Sequence, residues 1–264
     1  MLELFHNDMS TCSQKVRMAL AEKGLEWTSH HLNLRAADQQ QPDYLALNPN
    51  GVVPTLRDEG TVVIESTIIN EYIDDAFPDP ALRPVEAAAR ARMRLWTKQL
   101  DDGLHAATGV VSSCIAFRFQ HLDGKTTEEL DSYLARMPDA AKRERQTENI
   151  YKGVDSKFFP AAVHRFDKLL GDMNDALAAG PWLAGNEFSL ADVAYTPYAV
   201  RLDHLQLQGM WDKRPAYADW YERLKQRPAF KKAVTDWINP SYLEIMVPKG
   251  REAWPGVRET LAAT

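Results

Sequence analysis

Met9-Ser10-Thr11-Cys12-Ser13-Gln14-Lys15-Val16-Arg17-Met18-Ala19-Leu20 is the stretch that sets the fold. Ahead of it, Leu2-Glu3-Leu4-Phe5 alternates apolar and polar residues, the period of a strand. Behind it, Val16, Leu20 and Leu25, with Ala19 and Ala21, follow a helical pattern that closes at Gly24, a C-terminal cap. Ser10 therefore stands where a strand turns into a helix. The N–H groups at a helix start have no partner inside the helix and, with the helix dipole, stabilise an anion. A thiolate is such an anion. Ser10 and Thr11 also suit a plain helix cap.

After Gly24, residues 25–32 have strand character, and 38–47 read as a short helix or irregular turn ending at Asn48-Pro49-Asn50-Gly51. Val52 to Leu56 reads as a strand, Asp58-Glu59-Gly60 as a hairpin turn and Thr61 to Ile64 as its partner. Glu65-Ser66-Thr67 opens a helix with Ile68, Ile69, Tyr72 and Ile73 on its apolar side. The order β-α-β-α-β-β-α over residues 1–77 predicts an α/β domain with a mixed four-stranded sheet. Phe77 to Pro84 holds three prolines in eight positions and marks a linker, 78–85. Everything beyond, 86–264, is helical in pattern, with breaks near Gly103 and Gly109 and a restart at Pro138-Asp139. The run Lys142-Arg143-Glu144-Arg145 reads as a solvated helix face. Phe188-Ser189-Leu190-Ala191-Asp192 reads as a capping box.

Composition narrows the function. With 31 basic and 37 acidic side chains the net charge is −6, the opposite of a nucleic-acid binder. No apolar run approaches the ~20 residues of a membrane span, and the first residues show no leader pattern. Cys12 and Cys114 provide neither a disulfide framework nor zinc spacing, so no metal is expected and a reducing cytoplasm is the expected compartment.

Three places in the first domain carry chemistry. Ser10 sits at one helix start and Glu65-Ser66 at another, where a hydroxyl and backbone N–H groups hold a carboxylate. Val53-Pro54 sits at a strand start, and a cis bond there turns the Val53 main chain outward to pair with an extended peptide. A thiolate holder, a docking edge and a carboxylate cradle together suit a short peptide with a central thiol and a γ-linked carboxylate end.

These residues resemble the cytosolic glutathione S-transferases, which join a thioredoxin-like domain to an all-helical one. Ser10-Thr11-Cys12-Ser13-x-x-Val16-Arg17 is similar to the zeta-class signature, and Ala46-Leu47-Asn48-Pro49-x-x-x-Val53-Pro54-Thr55-Leu56 with Glu65-Ser66 resembles the glutathione-site motifs of many classes. Residues 63–68, 82–84 and 92–98, and the additional helical stretch 121–158, resemble the bacterial β-aryl-etherase branch, which departs from this chain in not keeping the Ser-x-Cys pattern. The resemblance implies glutathione as co-substrate, with Ser10 donating to its sulfur and Ser13 as the alternate. It implies Val53 and the cis-proline Pro54 at the cysteinyl main chain, Glu65 and Ser66 at the γ-glutamyl end, and Gln39 or Gln40 at the glycyl end. It further implies transfer of glutathione to a hydrophobic, aromatic electrophile, including aryl-ether cleavage. A redox alternative, reductive dehalogenation or thiol transfer, would use Cys12; a non-catalytic glutathione-binding protein is the third reading. Val16 and Ala19, at i+4 and i+7, place Cys12 on a core-facing stripe, so an inert, mostly buried thiol is expected. The acceptor pocket of such enzymes lies between the domains, with Trp96, His105, Ser112, Phe117 and Tyr198 as candidates that equally suit a packed core. A homodimer is implied, with Glu65-Ser66 and 90–102 contributing.

Overall fold

The computed structural model describes residues 1–137 and 139–263, so Pro138, the expected restart, lies outside the described residues. Strand β1 (Leu2–His6) lies in a sheet of order β2-β1-β3-β4, with β2 (Thr28–His31), β3 (Thr55–Asp58) and β4 (Thr61–Ile64). β1 is parallel to β2 and antiparallel to β3, and β3 and β4 form a hairpin, which is the mixed sheet expected. Leu2, Leu4 and His6 alternate inward, and Leu4 meets Leu56 across the ladder, both with no exposure. The register also aligns the strand ends. Phe5 faces Thr55, and Thr55 faces Ile64. The chain therefore leaves β1, enters β3 and leaves β4 at one end of the sheet, and β2, parallel to β1, ends there too.

Helix α1 (Thr11–Glu22) begins at Ser10, whose backbone is extended and whose hydroxyl accepts the Ser13 N–H. It ends with Leu25 N–H on the Leu20 carbonyl, Gly24 N–H on the Ala21 carbonyl and Gly24 at φ +66°, an arrangement that only glycine adopts without cost. Those bonds use the Leu25 N–H, so β2 starts at Thr28 rather than Leu25. α2 (Pro42–Leu45) is a single turn, and α3 (Ser66–Ala76) follows β4. α1 packs against α3 and α12 (Pro228–Ala233) as well as lying by the sheet, so Thr11 and Ser13 through Leu20 are all buried. Residues 52–54 are not strand. The Val52 carbonyl accepts from the Tyr44 hydroxyl at 2.6 Å and Asn48 Nδ2 at 2.9 Å, so the ladder begins only at Thr55.

Beyond residue 64 the described residues hold helices and one isolated bridge, Trp182 with Gly185. α4 (Ala87–Gln99) is opened by Glu86, whose carboxylate accepts the N–H groups of Ala88 and Ala89 at 2.8 and 2.7 Å. A wide helical turn at Leu100–Leu104 breaks at Asp102 and Gly103, as expected. Gly109 does not break the chain. It lies inside α5 (His105–Ser112), where a lone glycine costs only about 1 kcal/mol, and the next irregular turn is Ser113–Phe117. α6 (Arg118–Leu122), α7 (Thr127–Ala135) and α8 (Ala140–Lys152) follow, with a Thr126–Glu129 capping box at α7 and Asp139 capping α8. Leu130, Leu134 and Ile150 form a small buried cluster with Leu122 and Met137, so the 121–158 stretch has a core of its own. α9 (Phe159–Ala179), α10 (Leu190–His204), α11 (Pro215–Lys225) and α13 (Pro240–Ala262) complete the helices together with α12. Contacts gather the chain into two compact units: residues 1–98 with 176–199 and 219–239, and residues 99–175 with 200–218 and 240–264. In the first unit, the expected capping box opens α10. Ser189 Oγ accepts the Ala191 N–H at 3.3 Å, and the Asp192 carboxylate accepts the Ser189 N–H at 3.1 Å.

Candidate active site

The loop between β1 and α1 is held by its own polar side chains. Asn7 Oδ1 accepts the N–H groups of Met9 and Ser10, each at 3.1 Å, and Asn7 Nδ2 donates to the Leu32 carbonyl at 3.0 Å. Ser13, with no exposure, accepts the Asn7 N–H through its hydroxyl at 3.2 Å. Ser13 is thus engaged beneath the loop, whereas Ser10 is half-buried at the helix start. Ser10 Oγ accepts from the Ser13 N–H at 3.3 Å, which leaves its hydroxyl hydrogen to be donated. An anion placed there meets that hydroxyl and the positive end of α1 together.

The second feature is Val53–Pro54, joined by a cis bond as expected; Asp79–Pro80, in the linker, is also cis. Tyr44 and Asn48 grip this segment from one side: besides holding the Val52 carbonyl, both bond Thr55 Oγ1, at 2.9 and 3.1 Å. Pro54 is buried and Val53 half-buried. Gly51, at φ +60°, turns the chain into it, and a side chain there would strike Gln40.

The third feature is the start of α3. Glu65 is exposed and holds φ +67°, a left-handed angle uncommon for a residue with a side chain. Such an angle, kept by its surroundings, is a mark of functional sites. Ser66 next to it is buried at the first helical position. Two contacts tie this start to α1. Lys15 Nζ donates to Thr67 Oγ1 at 3.0 Å, and Asn70 Nδ2 donates to the Lys15 carbonyl at 3.3 Å.

The fourth feature is Gln39, in a short turn after β2, whose side-chain oxygen is buried without a hydrogen-bond partner. Its neighbour Gln40 donates to the Gly51 carbonyl at 3.0 Å, tying this turn to the Val53 segment. Through the register of β1, β3 and β4, Ser10, Val53-Pro54 and Glu65-Ser66 all stand at one end of the sheet. The turn carrying Gln39 follows β2 from the same end.

Cys12 lies in the first turn of α1. It is half-buried while both neighbours, Thr11 and Ser13, are buried. Among the acceptor candidates, Ser112 and Tyr198 are buried; Ser112 Oγ accepts from Arg201 Nη1 at 2.9 Å. Trp96 Nε1 donates to the Leu183 carbonyl at 2.9 Å, and Phe117 packs edge-on to Tyr242. His105 is exposed. Periodicity gave no sign of Arg17 or Asn7. A charged residue in a helix reads as solvent-facing, yet Arg17 is 1% exposed and reaches the Asn7 and Asp8 carbonyls. Among the described residues no group of three or more His, Cys, Asp or Glu side chains is placed to hold a metal.

Residues 9–76 match the model of the glutathione S-transferase N-terminal domain, and 140–223 that of the C-terminal domain. Glutathione S-transferase 3 of Zea mays is 30% identical over 237 residues, covering 88% of this chain and 93% of its own. The chain belongs to the glutathione S-transferase family. A second relative of this transferase is protein LigF of Sphingobium, 27% identical over 240 residues, 87% of this chain and 91% of the other. The crystal structure of beta-etherase LigF superposes with a TM-score of 0.77 at 25% identity, covering 88% of this chain and 98% of that one. Maleylacetoacetate isomerase of Pseudomonas aeruginosa is 45% identical, but over 96 residues only, 35% of this chain and 45% of the other. Glutathione is the co-substrate of the family.

Proposed function

We propose that this protein transfers glutathione to a hydrophobic, aromatic electrophile, with cleavage of an aryl ether as the favoured reaction. The observation that carries the reading is the strand register, which brings a helix-start hydroxyl, a docking segment and a strained helix start to one sheet end. The Ser10 hydroxyl donates to the glutathione sulfur, and the N-terminus of α1 adds positive potential. The thiol proton passes to solvent. The thiolate attacks the carbon bearing the ether oxygen, a C–S bond forms, the C–O bond breaks, and the aryloxide leaves and takes up a proton. Val53 pairs with the cysteinyl main chain, Glu65 and Ser66 hold the γ-glutamyl group, and Gln39 meets the glycyl end, its side-chain Nε2 donating to the carboxylate. The likeness to the beta-etherase supports the ether over other leaving groups.

Cys12 supports a second reading, thiol transfer, because it is half-buried at a helix start rather than sealed in the core. We also propose a cytoplasmic homodimer, supported by exposed apolar side chains on β4, α3 and α4: Val62, Ile68 and Leu95.

The test is retention on immobilised glutathione followed by turnover of a β-aryl ether. Ser10→Ala is expected to bind the resin and lose about 10–100-fold in turnover, since one charge-assisted hydrogen bond is worth about 1.5–3 kcal/mol. Full activity in Ser10→Ala with an inactive Cys12→Ala and a Cys12–glutathione disulfide by mass spectrometry would put thiol transfer first.

A further inference from the structure

Arg17 is a buried cation whose donors reach both the loop that carries Ser10 and the segment 233–239. Its Nη1 donates to the Asn7 carbonyl at 2.8 Å and its Nη2 to the Asp8 carbonyl at 2.7 Å. Its Nε donates to the Ala233 carbonyl at 2.9 Å, at the end of α12. The guanidinium also stacks over the Trp237 ring, 4.9 Å from its centroid. Arginine has donors only, so the 3.0 Å contact between Arg17 Nη1 and His6 Nδ1 makes that nitrogen the acceptor. The His6 proton then sits on Nε2 and donates to Ser29 Oγ at 2.8 Å. A second tie comes from the same 233–239 segment. Asn239 Nδ2 donates to Asp8 Oδ2 at 2.8 Å, and the Asn239 N–H points at Met9 Sδ, 3.5 Å away. Asp8, His6, His30 and His31 are titratable groups around this cluster, with His31 Nε2 at 3.7 Å from the Asp8 carboxylate.

We propose that Arg17 is a positioning residue for thiolate activation, acting as a fork that fixes the peptide units of residues 7–9 and couples the Ser10 loop to the segment 233–239. The inference rests on the reading that Ser10 meets the glutathione sulfur. The two peptides gripped by Arg17, 7–8 and 8–9, lie just ahead of Ser10, whose N–H is held by the Asn7 side chain. Three carbonyls at three angles need a planar fork with several donors, which a lysine ammonium cannot reproduce even though it keeps the charge. Geometry, not charge alone, is thus what Arg17 supplies. The segment 233–239 becomes part of the site without touching substrate.

The test is an ultraviolet titration of the thiolate of bound glutathione, with steady-state kinetics, in the wild type, Arg17→Lys and Asn239→Ala. Arg17→Lys is expected to raise the pKa of the bound thiol by about one unit and to lower kcat about tenfold at neutral pH, with KM for glutathione within about twofold. That split follows because the peptide-anchoring residues are untouched, and general destabilisation would not produce it. Asn239→Ala, at a half-exposed side chain, should shift the thiol in the same direction by less. If Arg17→Lys does not fold, Asn239→Ala decides alone, and an unshifted thiol in it overturns the coupling. A wild type with a clear thiolate and two folded variants that titrate where it does overturns the clamp alone. A wild type that binds glutathione but never forms a thiolate overturns the transferase reading beneath it.

Discussion

His6 shows how much a single side chain can owe to its surroundings. It has no exposed surface, and burial, then the Arg17 charge beside it, pushes its imidazole down to about 3. In the unfolded chain a histidine titrates near 6.5, so between these values the unfolded state binds the additional proton. Stability from a neutral His6 is therefore whole above about pH 6.5 and drains as pH falls toward about 3. Melting temperatures between pH 7 and 4 should fall less steeply in His6→Gln, which keeps an acceptor for Arg17 but does not titrate. Equal slopes in the two proteins would remove His6 from the acid response. At this scale the sequence was partly readable. Ser10, Val53-Pro54 and Glu65-Ser66 announce themselves because caps and turns are encoded within a few neighbouring residues. Arg17 does not, because its partner Ala233 lies 216 positions away and its burial depends on that later helix.

Among the elements, α10 depends on one carboxylate. Asp192 is fully buried and accepts the N–H groups of Leu183 and Ser189 at 3.1 Å and Trp220 Nε1 at 2.9 Å. Asp192→Ala leaves these donors buried and unsatisfied, and should cost about 3 kcal/mol or more by urea denaturation. A loss below about 0.5 kcal/mol, within the range of an ordinary surface change, would show that water replaces the carboxylate. Gly250 on α13 makes a different demand. A Cβ there would stand 1.9 Å from the Leu205 carbonyl oxygen, and backbone cannot swing aside as a side chain can. Gly250→Ala should destabilise by about 1–3 kcal/mol or more through overpacking, whereas helix propensity alone would stabilise it by about 1 kcal/mol. The sign of the change in melting temperature separates the two. The 188–192 box was legible because it is local. The close approach at Gly250 was not, because an isolated glycine in a helical pattern reads only as a weak breaker. The same limit explains Gly109, read as a break and found inside α5.

For the whole molecule, the mixed sheet followed by helices was readable from strand-length runs, proline punctuation and helical spacing. A dimer should show a light-scattering mass near twice the 29.9 kDa of one chain at micromolar concentration. Ile68→Glu with Leu95→Glu should shift that mass toward one chain, because two charges cannot be buried without partners. A wild-type mass of one chain would dispose of the dimer. The helix start at Ser10 is proposed to create the glutathione thiolate. Its most direct test is the absorbance titration of glutathione bound to the wild type and to Ser10→Ala. We expect the wild-type complex to titrate about two units below the ~8.5 of a free thiol, and Ser10→Ala to titrate at least about one unit higher than the wild type. Coincident titration curves for the two proteins would contradict it.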